Sequence, residues 1–412
     1  EDALFRTGVY QTNDISVSGG DQNTKYYSSL SYTKDNSRVK VNDFDRISGR
    51  VNLSQGIGKY VDFISNINIA KTTKSGYNDT RNTGGNYFMQ SRNLLWPLYW
   101  PTDYKTGNPF TDRFGSLAQN GLYYDNEWDN KTSDFRMLAN ESIVAHILPS
   151  LDLKTVFSYD NLQTKDHIYY SAKHFNGALP INGSVSEMST NSTRWVSSTT
   201  LNYKKDFGLH GIDVLAGYEA EKNSTDFQRA TGTDLPSSAL HTVATAGKLD
   251  ANAYSWGNTM NSILSRVEYN YDQKYFASAS YRRDGSSKLG PETRWGSFYS
   301  IAGAWKIDRE SFMSQATYIS NLRLRASYGI NGTLRNPDFG WRSLAGYGNK
   351  YMTQAGGGIS TLADRNLRWE TNYVTNLGLE FGLFAQRLYG TIEYFNRDSR
   401  DLLQNVPISR VT

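Results

Sequence analysis

The stretch that decides the fold is ILSRVEYNYDQKYFASASY, residues 263–281. Apolar or aromatic side chains recur at almost every second position on both sides of a short polar break, at Ile263, Val267, Tyr269, Tyr271, Tyr275, Ala277, Ala279 and Tyr281. A period of two is that of a strand with one apolar and one polar face. The break, Asp272-Gln273-Lys274, consists of turn-forming residues. The stretch therefore predicts an antiparallel hairpin.

The same alternation recurs along the whole chain. It is clear at Val61–Ile69, Leu151–Tyr159, Ile212–Tyr218 and Leu322–Tyr328. We count about fourteen such strands of about ten residues each. The fold class predicted from the pattern is therefore all-β and antiparallel.

The connections between these strands alternate between short and long. Short ones, such as Leu148-Pro149-Ser150, contain turn formers, whereas long ones cover approximately residues 72–134, 161–192, 222–260 and 331–368. In an antiparallel sheet this places all short turns at one end and all long loops at the other. Strands of this length with short periplasmic turns and long extracellular loops are typical of a transmembrane outer-membrane β-barrel. A large soluble sandwich or blade protein remains the alternative.

Composition excludes several other classes of protein. The 412 residues contain no cysteine, which excludes disulfide scaffolds and thiolate metal sites. Aromatic residues make up 14%, too many for a disordered chain. No apolar run approaches the length of a membrane-spanning helix. With 44 basic and 40 acidic residues and no basic tract, nucleic acid is not an expected partner.

Motifs for catalysis are absent, so no catalytic residue is predicted and the protein is not expected to be an enzyme. The five histidines are scattered, without the spacing of a metal-ligand pair. Glu219 and Glu221 share a strand face but carry no other mark of an acid–base pair. Asp125, Glu127 and Asp129 offer oxygens at every second position, as a calcium loop would, yet lack the glycine and distal glutamate of an EF-hand. Calcium and a solvated loop both remain possible interpretations.

Aromatic side chains concentrate in the first long loop. They are Trp96, Trp100, Tyr123, Tyr124 and Trp128. Flat rings edged with polar groups suit sugar rings, whereas a long loop also needs aromatics for a small core of its own. The prolines and leucines around Trp96 and Trp100 favour packing, and for the other three both interpretations stay open.

One segment resembles a known family. YRRDGSSKLGPETRWG, residues 281–296, resembles the barrel signature of SusC/RagA-type TonB-dependent outer-membrane transporters. The signature positions are Tyr281, Arg282, Arg283, Asp284, Gly285, Arg294, Trp295 and Gly296. Further segments at residues 15–20, 322–329 and 369–407 match in the family's order. We expect Arg282, Arg283 and Asp284 to act structurally at a strand end, because Asp-Gly is a turn signal.

The resemblance implies a 22-stranded barrel in the outer membrane of a Gram-negative bacterium, closed by a plug domain on which TonB acts. It also implies a SusD-like lipoprotein at the extracellular mouth, and import of glycans or, in some members, peptides. About fourteen strands and no plug segment predict that residues 1–412 are an internal barrel fragment. The alternatives are a self-contained fourteen-stranded porin-like channel and a soluble secreted glycan-binding β-protein.

Overall fold

The structure is a computed structural model that describes residues 5–76, 102–108, 127–352 and 354–404. Its main body is one antiparallel sheet of fourteen strands, in which each strand pairs with the sheet strand that follows it in the chain, and a separate two-stranded hairpin is inserted before the last two of them. The fold class predicted from the alternation is confirmed. The strands are β1 (Val9–Gly20), β2 (Thr24–Asn36), β3 (Asp43–Ile57), β4 (Val61–Ser75), β5 (Trp128–Leu148), β6 (Leu151–Tyr170), β7 (Ser184–Phe207), β8 (His210–Thr233), β9 (Lys248–Tyr271), β10 (Tyr275–Ser286), β11 (Trp295–Lys306), β12 (Ile319–Thr333), β13 (Leu344–Tyr351), β14 (Gln354–Thr361), β15 (Glu370–Leu383) and β16 (Leu388–Arg400).

The hairpin predicted from residues 263–281 is formed by β9 and β10. Tyr275 lies opposite Tyr271, and the ladder continues away from the turn as far as Ser286, which lies opposite Met260. Asp272 and Gln273 have φ of 51° and 50°, so both occupy the left-handed region. Two successive left-handed residues match the right-handed twist of the strands they join.

The two faces of the sheet differ as the alternation predicts. One face carries exposed apolar side chains on strand after strand, among them Ile15, Val17, Leu30, Val51, Ile301, Leu377 and Ile392. The other is polar and ion-paired, for example between Arg136 and Asp160 at 2.7 Å. A continuous apolar face without a protein partner is what a barrel wall presents to lipid. Within the described parts of the chain, no helix is long and apolar enough to cross a membrane.

Within the fourteen-stranded sheet, every connection of two to four residues lies at the same end. The turns β1–β2, β3–β4, β5–β6, β7–β8, β9–β10 and β15–β16 have two to four residues. The β11–β12 connection at the same end is longer and contains two 3₁₀ turns, Ile307–Arg309 and Ser311–Met313. The long connections, including the one that carries the β13–β14 hairpin, lie at the opposite end, which we call the long-loop end.

Strand lengths and loop bounds differ from the sequence prediction. β7, β8 and β9 have 24 residues each, so large parts of the predicted loops 161–192 and 222–260 are strand. Similarly, β5 already begins at Trp128, inside the predicted loop 72–134. An apolar band of about 25 Å needs only about ten residues per strand. Beyond this apolar band both faces of a strand contact water. Apolar and polar residues therefore no longer alternate there, although the strands remain paired through their backbone hydrogen bonds.

The sheet is open in the described part of the chain. There β1 pairs only with β2, and β16 only with β15. The alternative of a self-contained fourteen-stranded barrel is therefore wrong for these residues, because closure requires the two edge strands to pair.

Among the described residues, the buried apolar ones are few and form two clusters. One comprises Leu289, Phe298, Ile330 and Trp369, and the other comprises Tyr169, Val185 and Leu235. Both lie toward the long-loop end, where connections fold back on the strands. A wall whose apolar face points outward has little apolar surface left to bury inside.

Candidate functional site

The candidate site is the polar face of the sheet, from the short turns to the long-loop end. Near the short turns this face forms a concavity of about 560 Å³. Charged side chains of both signs line it: Lys204, Asp206, Asp213, Glu268, Arg323 and Arg325. The charged side chains can offer hydrogen bonds and ion pairs to a polar partner.

Five of the eight loop residues predicted to bind substrate or calcium, or to pack the loop, lie outside the described part of the chain. They are Trp96, Trp100, Tyr123, Tyr124 and Asp125. Their assignment to substrate, packing or calcium therefore stays a prediction.

The three remaining residues of that loop, Glu127, Trp128 and Asp129, each contact a different part of the structure. Trp128 is the first residue of β5 and lies opposite Tyr170. Glu127 accepts a hydrogen bond from the Ser171 hydroxyl, and its Oε1 lies 3.3 Å from Nζ of Lys173. Oδ2 of Asp129 lies 4.0 Å from Nε2 of His167. Over the residues that the structure describes, no three His, Cys, Asp or Glu side chains are grouped as metal ligands.

The family signature occupies β10, β11 and their connection. On the polar face, Nε of Arg282 donates to Asp284 at 2.7 Å, and Nη2 donates to Glu219 at 3.0 Å and to the Ser262 hydroxyl at 2.9 Å. Asp284 and Ser262 are buried. A guanidinium can satisfy two carboxylates at once because its donors are fixed in a plane. Arg282 thereby links β8, β9 and β10.

The other signature residues surround a close packing contact. The guanidinium of Arg283 lies 5.4 Å from the ring centre of Trp295. A Cβ on Gly285 would come within 2.8 Å of that ring, and one on Gly296 within 2.6 Å of Phe298. Both positions therefore need glycine. The main-chain carbonyl of Arg294 accepts a hydrogen bond from Nε1 of Trp369 at 3.1 Å, and the hydroxyl of Tyr281 lies 3.1 Å from that of Ser297.

The two glutamates of β8 are both held by arginines. Glu219 pairs with Arg282 at 3.0 Å, and Glu221 pairs with Arg194 at 2.7 Å. A hydrolase needs one carboxyl group that is protonated and free to donate. Carboxylates held in ion pairs are poorly suited to that task.

Two long connections form a small cap over β6–β9. Tyr169 is buried, stacks on His241 with ring centres 3.7 Å apart, and donates to the Ser238 carbonyl at 2.9 Å. His174 is fully buried in the same region, and Nδ1 accepts a hydrogen bond from the Asn176 main-chain N–H at 3.1 Å. Burial lowers the pKa of His174 to about 3, because the cap disfavours the charged imidazolium.

Sequence reasoning missed an aromatic group on the polar face of β8 and β9. Phe227 and Tyr254 have ring centres 4.9 Å apart, and Tyr254 and Trp256 have ring centres 5.4 Å apart. These residues fall inside the range predicted as a loop, 222–260. The available signal was Tyr254-x-Trp256, since aromatics two residues apart share one face of a strand.

Relatives with similar sequences are TonB-dependent receptors. The chain is 28% identical to TonB-dependent receptor SusC of Bacteroides thetaiotaomicron over 440 residues, covering 99% of this chain and 43% of the receptor. It is 26% identical to TonB-dependent receptor P39 of Formosa agariphila, covering all of this chain and 39% of that protein. The chain thus spans about two fifths of the length of these curated relatives. No family model matches it.

Solved structures show the same fold. The RagAB peptide transporter superimposes with a TM-score of 0.86 at 24% identity, covering 100% of this chain and 46% of that chain. The ferric citrate transporter FecA superimposes with a TM-score of 0.55 at 11% identity, covering 94% of this chain and 48% of that chain. Sequence and fold together confirm the resemblance that the motifs predicted: the chain is a β-barrel segment similar to SusC/RagA-type TonB-dependent outer-membrane transporters.

Proposed function

We propose that this chain forms part of the barrel wall of a TonB-dependent importer in the outer membrane of a Gram-negative bacterium. The observation that carries the proposal is the fourteen-stranded antiparallel sheet with an exposed apolar face, an ion-paired polar face and its longest connections at one end. In this arrangement the apolar face meets lipid, the polar face lines the lumen, and the long-loop end is extracellular.

The work of such a barrel is binding and gated passage, without bond chemistry. The charged concavity near the short turns offers donors and acceptors to a plug domain in the lumen, on which TonB would pull from the periplasm. At the other end, the cap and the long connections offer a platform for a SusD-like surface lipoprotein. RagAB, which has the same fold, is named as a peptide transporter.

We propose a glycan as the cargo, with a peptide as the second candidate. Tyr123, Tyr124 and Trp128 are the loop residues proposed to contact it, and Trp96 and Trp100 are proposed to pack the loop. If calcium binds, Asp125, Glu127 and Asp129 are the candidate ligands.

Uptake by the full-length receptor tests the function. Cells that produce it should accumulate labelled oligosaccharide or peptide only when TonB is present. Uptake that is equal with and without TonB contradicts the proposed coupling. Deleting residues 123–128 should reduce uptake while leaving the barrel in the outer membrane, and unchanged uptake removes the substrate role of these residues.

A further inference from the structure

The aromatic group of β8 and β9 is built by strand register. Phe227 lies directly opposite Tyr254 in the β8–β9 ladder, and Trp256 follows two residues later on β9. The Tyr254 and Trp256 rings are nearly parallel, with 27° between their planes. Three rings held by two paired strands form a rigid surface, which we call the ring platform.

The ring platform is not buried in the fold. Tyr254 is 52% exposed and Trp256 is 41% exposed, and neither belongs to either buried cluster. Cross-strand aromatic contacts by themselves stabilise a hairpin. A purely structural role, however, favours covering large rings, whereas these two keep about half of their surface available for a ligand.

The platform lies on the polar face, beyond the part of the wall that lipid covers. With a rise of about 3.3 Å per residue and a strand tilt of about 40°, Tyr254 lies about 45 Å along the barrel axis from the turn at Asp272. The apolar band of such barrels is only about 25 Å tall. A solute that enters from the long-loop end would pass these rings before it reaches the membrane level.

The groups around the rings are polar, and the charges among them are paired. The hydroxyls of Ser192 and Thr225 lie 3.2 Å apart on one side. An amide pair, Asn223 donating to Asn258 at 3.1 Å, borders the platform toward the short turns. Asn223 also donates to Glu221, which pairs with Arg194. Asn258 also donates to Asp338, which pairs with Lys288. Toward the long loops, Nη2 of Arg229 and Oδ2 of Asp250 pair at 3.2 Å, so their charges compensate.

This combination indicates the chemistry of a ligand. Flat aromatic faces bind the C–H faces of sugar rings, and neutral hydroxyl and amide groups hydrogen-bond sugar hydroxyls. The four polar residues and the ion pair that border the rings include no unpaired charge that could bind the charged terminus of a peptide. We propose that Phe227, Tyr254 and Trp256 form a binding site for a pyranose ring of a neutral oligosaccharide. This inference rests on the proposed import function. It names neutral oligosaccharides as the class of cargo that binds near the long-loop end.

Binding to the full-length receptor in detergent tests the inference. The probes are neutral heptasaccharides of α- and β-linked glucose, mannose and galactose, measured by titration calorimetry. Tyr254→Ala and Trp256→Ala should each weaken binding of the preferred sugar about tenfold, as expected for the loss of one ring contact. The matched control is Leu249→Ala, since Leu249 is 67% exposed on the opposite face of the same strand.

Folding and function are checked separately. Heat-modifiable gel mobility verifies that each variant still forms the barrel. Wild-type affinity in the double alanine variant, or no binding of any sugar by the wild type, overturns the inference. If TonB-dependent uptake of a peptide digest persists in that case, the import function stands and only the sugar site fails. If uptake is independent of TonB, the function itself fails.

Discussion

Acidification should open the cap around His174 selectively. When the cap opens, the exposed imidazole of His174 regains its usual pKa of about 6.5 and binds a proton below that pH. In the closed cap the pKa of His174 is about 3, so the buried imidazole stays neutral over the same range. The open state binds more protons, so the stability of the cap rises with pH in this window and falls on acidification. Between pH 8 and pH 5 the loss is about 2 kcal/mol, from about 1.36 kcal/mol per pH unit below 6.5.

Hydrogen–deuterium exchange of residues 171–183 measures this loss. After correction for intrinsic rates, about 2 kcal/mol corresponds to about 30-fold more frequent opening at pH 5 than at pH 8. His174→Gln should remove the pH dependence, whereas His241→Gln, which changes an exposed imidazole of the neighbouring connection, should leave it intact. Equal opening at both pH values in the wild type, or an unchanged pH dependence in His174→Gln, would refute the reasoning.

Three further substitutions test the wall and the cap by thermal unfolding in detergent. Arg282→Met leaves two carboxylates without their partner and should lower the free energy of unfolding by about 3–5 kcal/mol. Arg266→Met breaks only an exposed ion pair and should lower it by less than about 1 kcal/mol. Equal losses in the two variants would contradict the network assigned to Arg282. Gly177→Ala places a Cβ 2.1 Å from a main-chain oxygen and should destabilise the cap by about 1–3 kcal/mol. The control is Gly303→Ala, whose Cβ has room. If Gly177→Ala leaves the hydrogen exchange of the cap unchanged, the close approach is contradicted. Gln273→Gly relieves a left-handed φ of 50° and should stabilise the hairpin by up to about 1 kcal/mol, and a lower midpoint temperature rules this out.

The predictable part of the fold follows from local patterns. Hairpins such as the one around Asp272 could be located because alternation and turn formers act over a few residues. The extensions of β7, β8 and β9 could not, because Ser, Thr and Asn on both wet faces look like a loop. Their ladder is held by neighbouring strands, for example through the Ser186 and Thr231 hydroxyls 2.9 Å apart.

The candidate site shows the same division. The signature segment pointed to Arg282 and Asp284, yet its link to Glu219, 63 residues away, depends on the register of three strands. The ring platform was missed because its residues lie in a range that was predicted to be a loop. The aromatics that the sequence pattern favours, such as Tyr123 and Tyr124, lie outside the described residues.

By itself the sequence determined the strands, their two faces and the end at which the short turns lie, since a period of two and turn chemistry are properties of adjacent residues. Only the tertiary structure decided how far the strands continue, that β1 and β16 do not pair in the described residues, and which polar and aromatic side chains meet. The physical reason is that contacts across a sheet depend on register, and register is set by hydrogen bonding between strands that lie far apart in sequence.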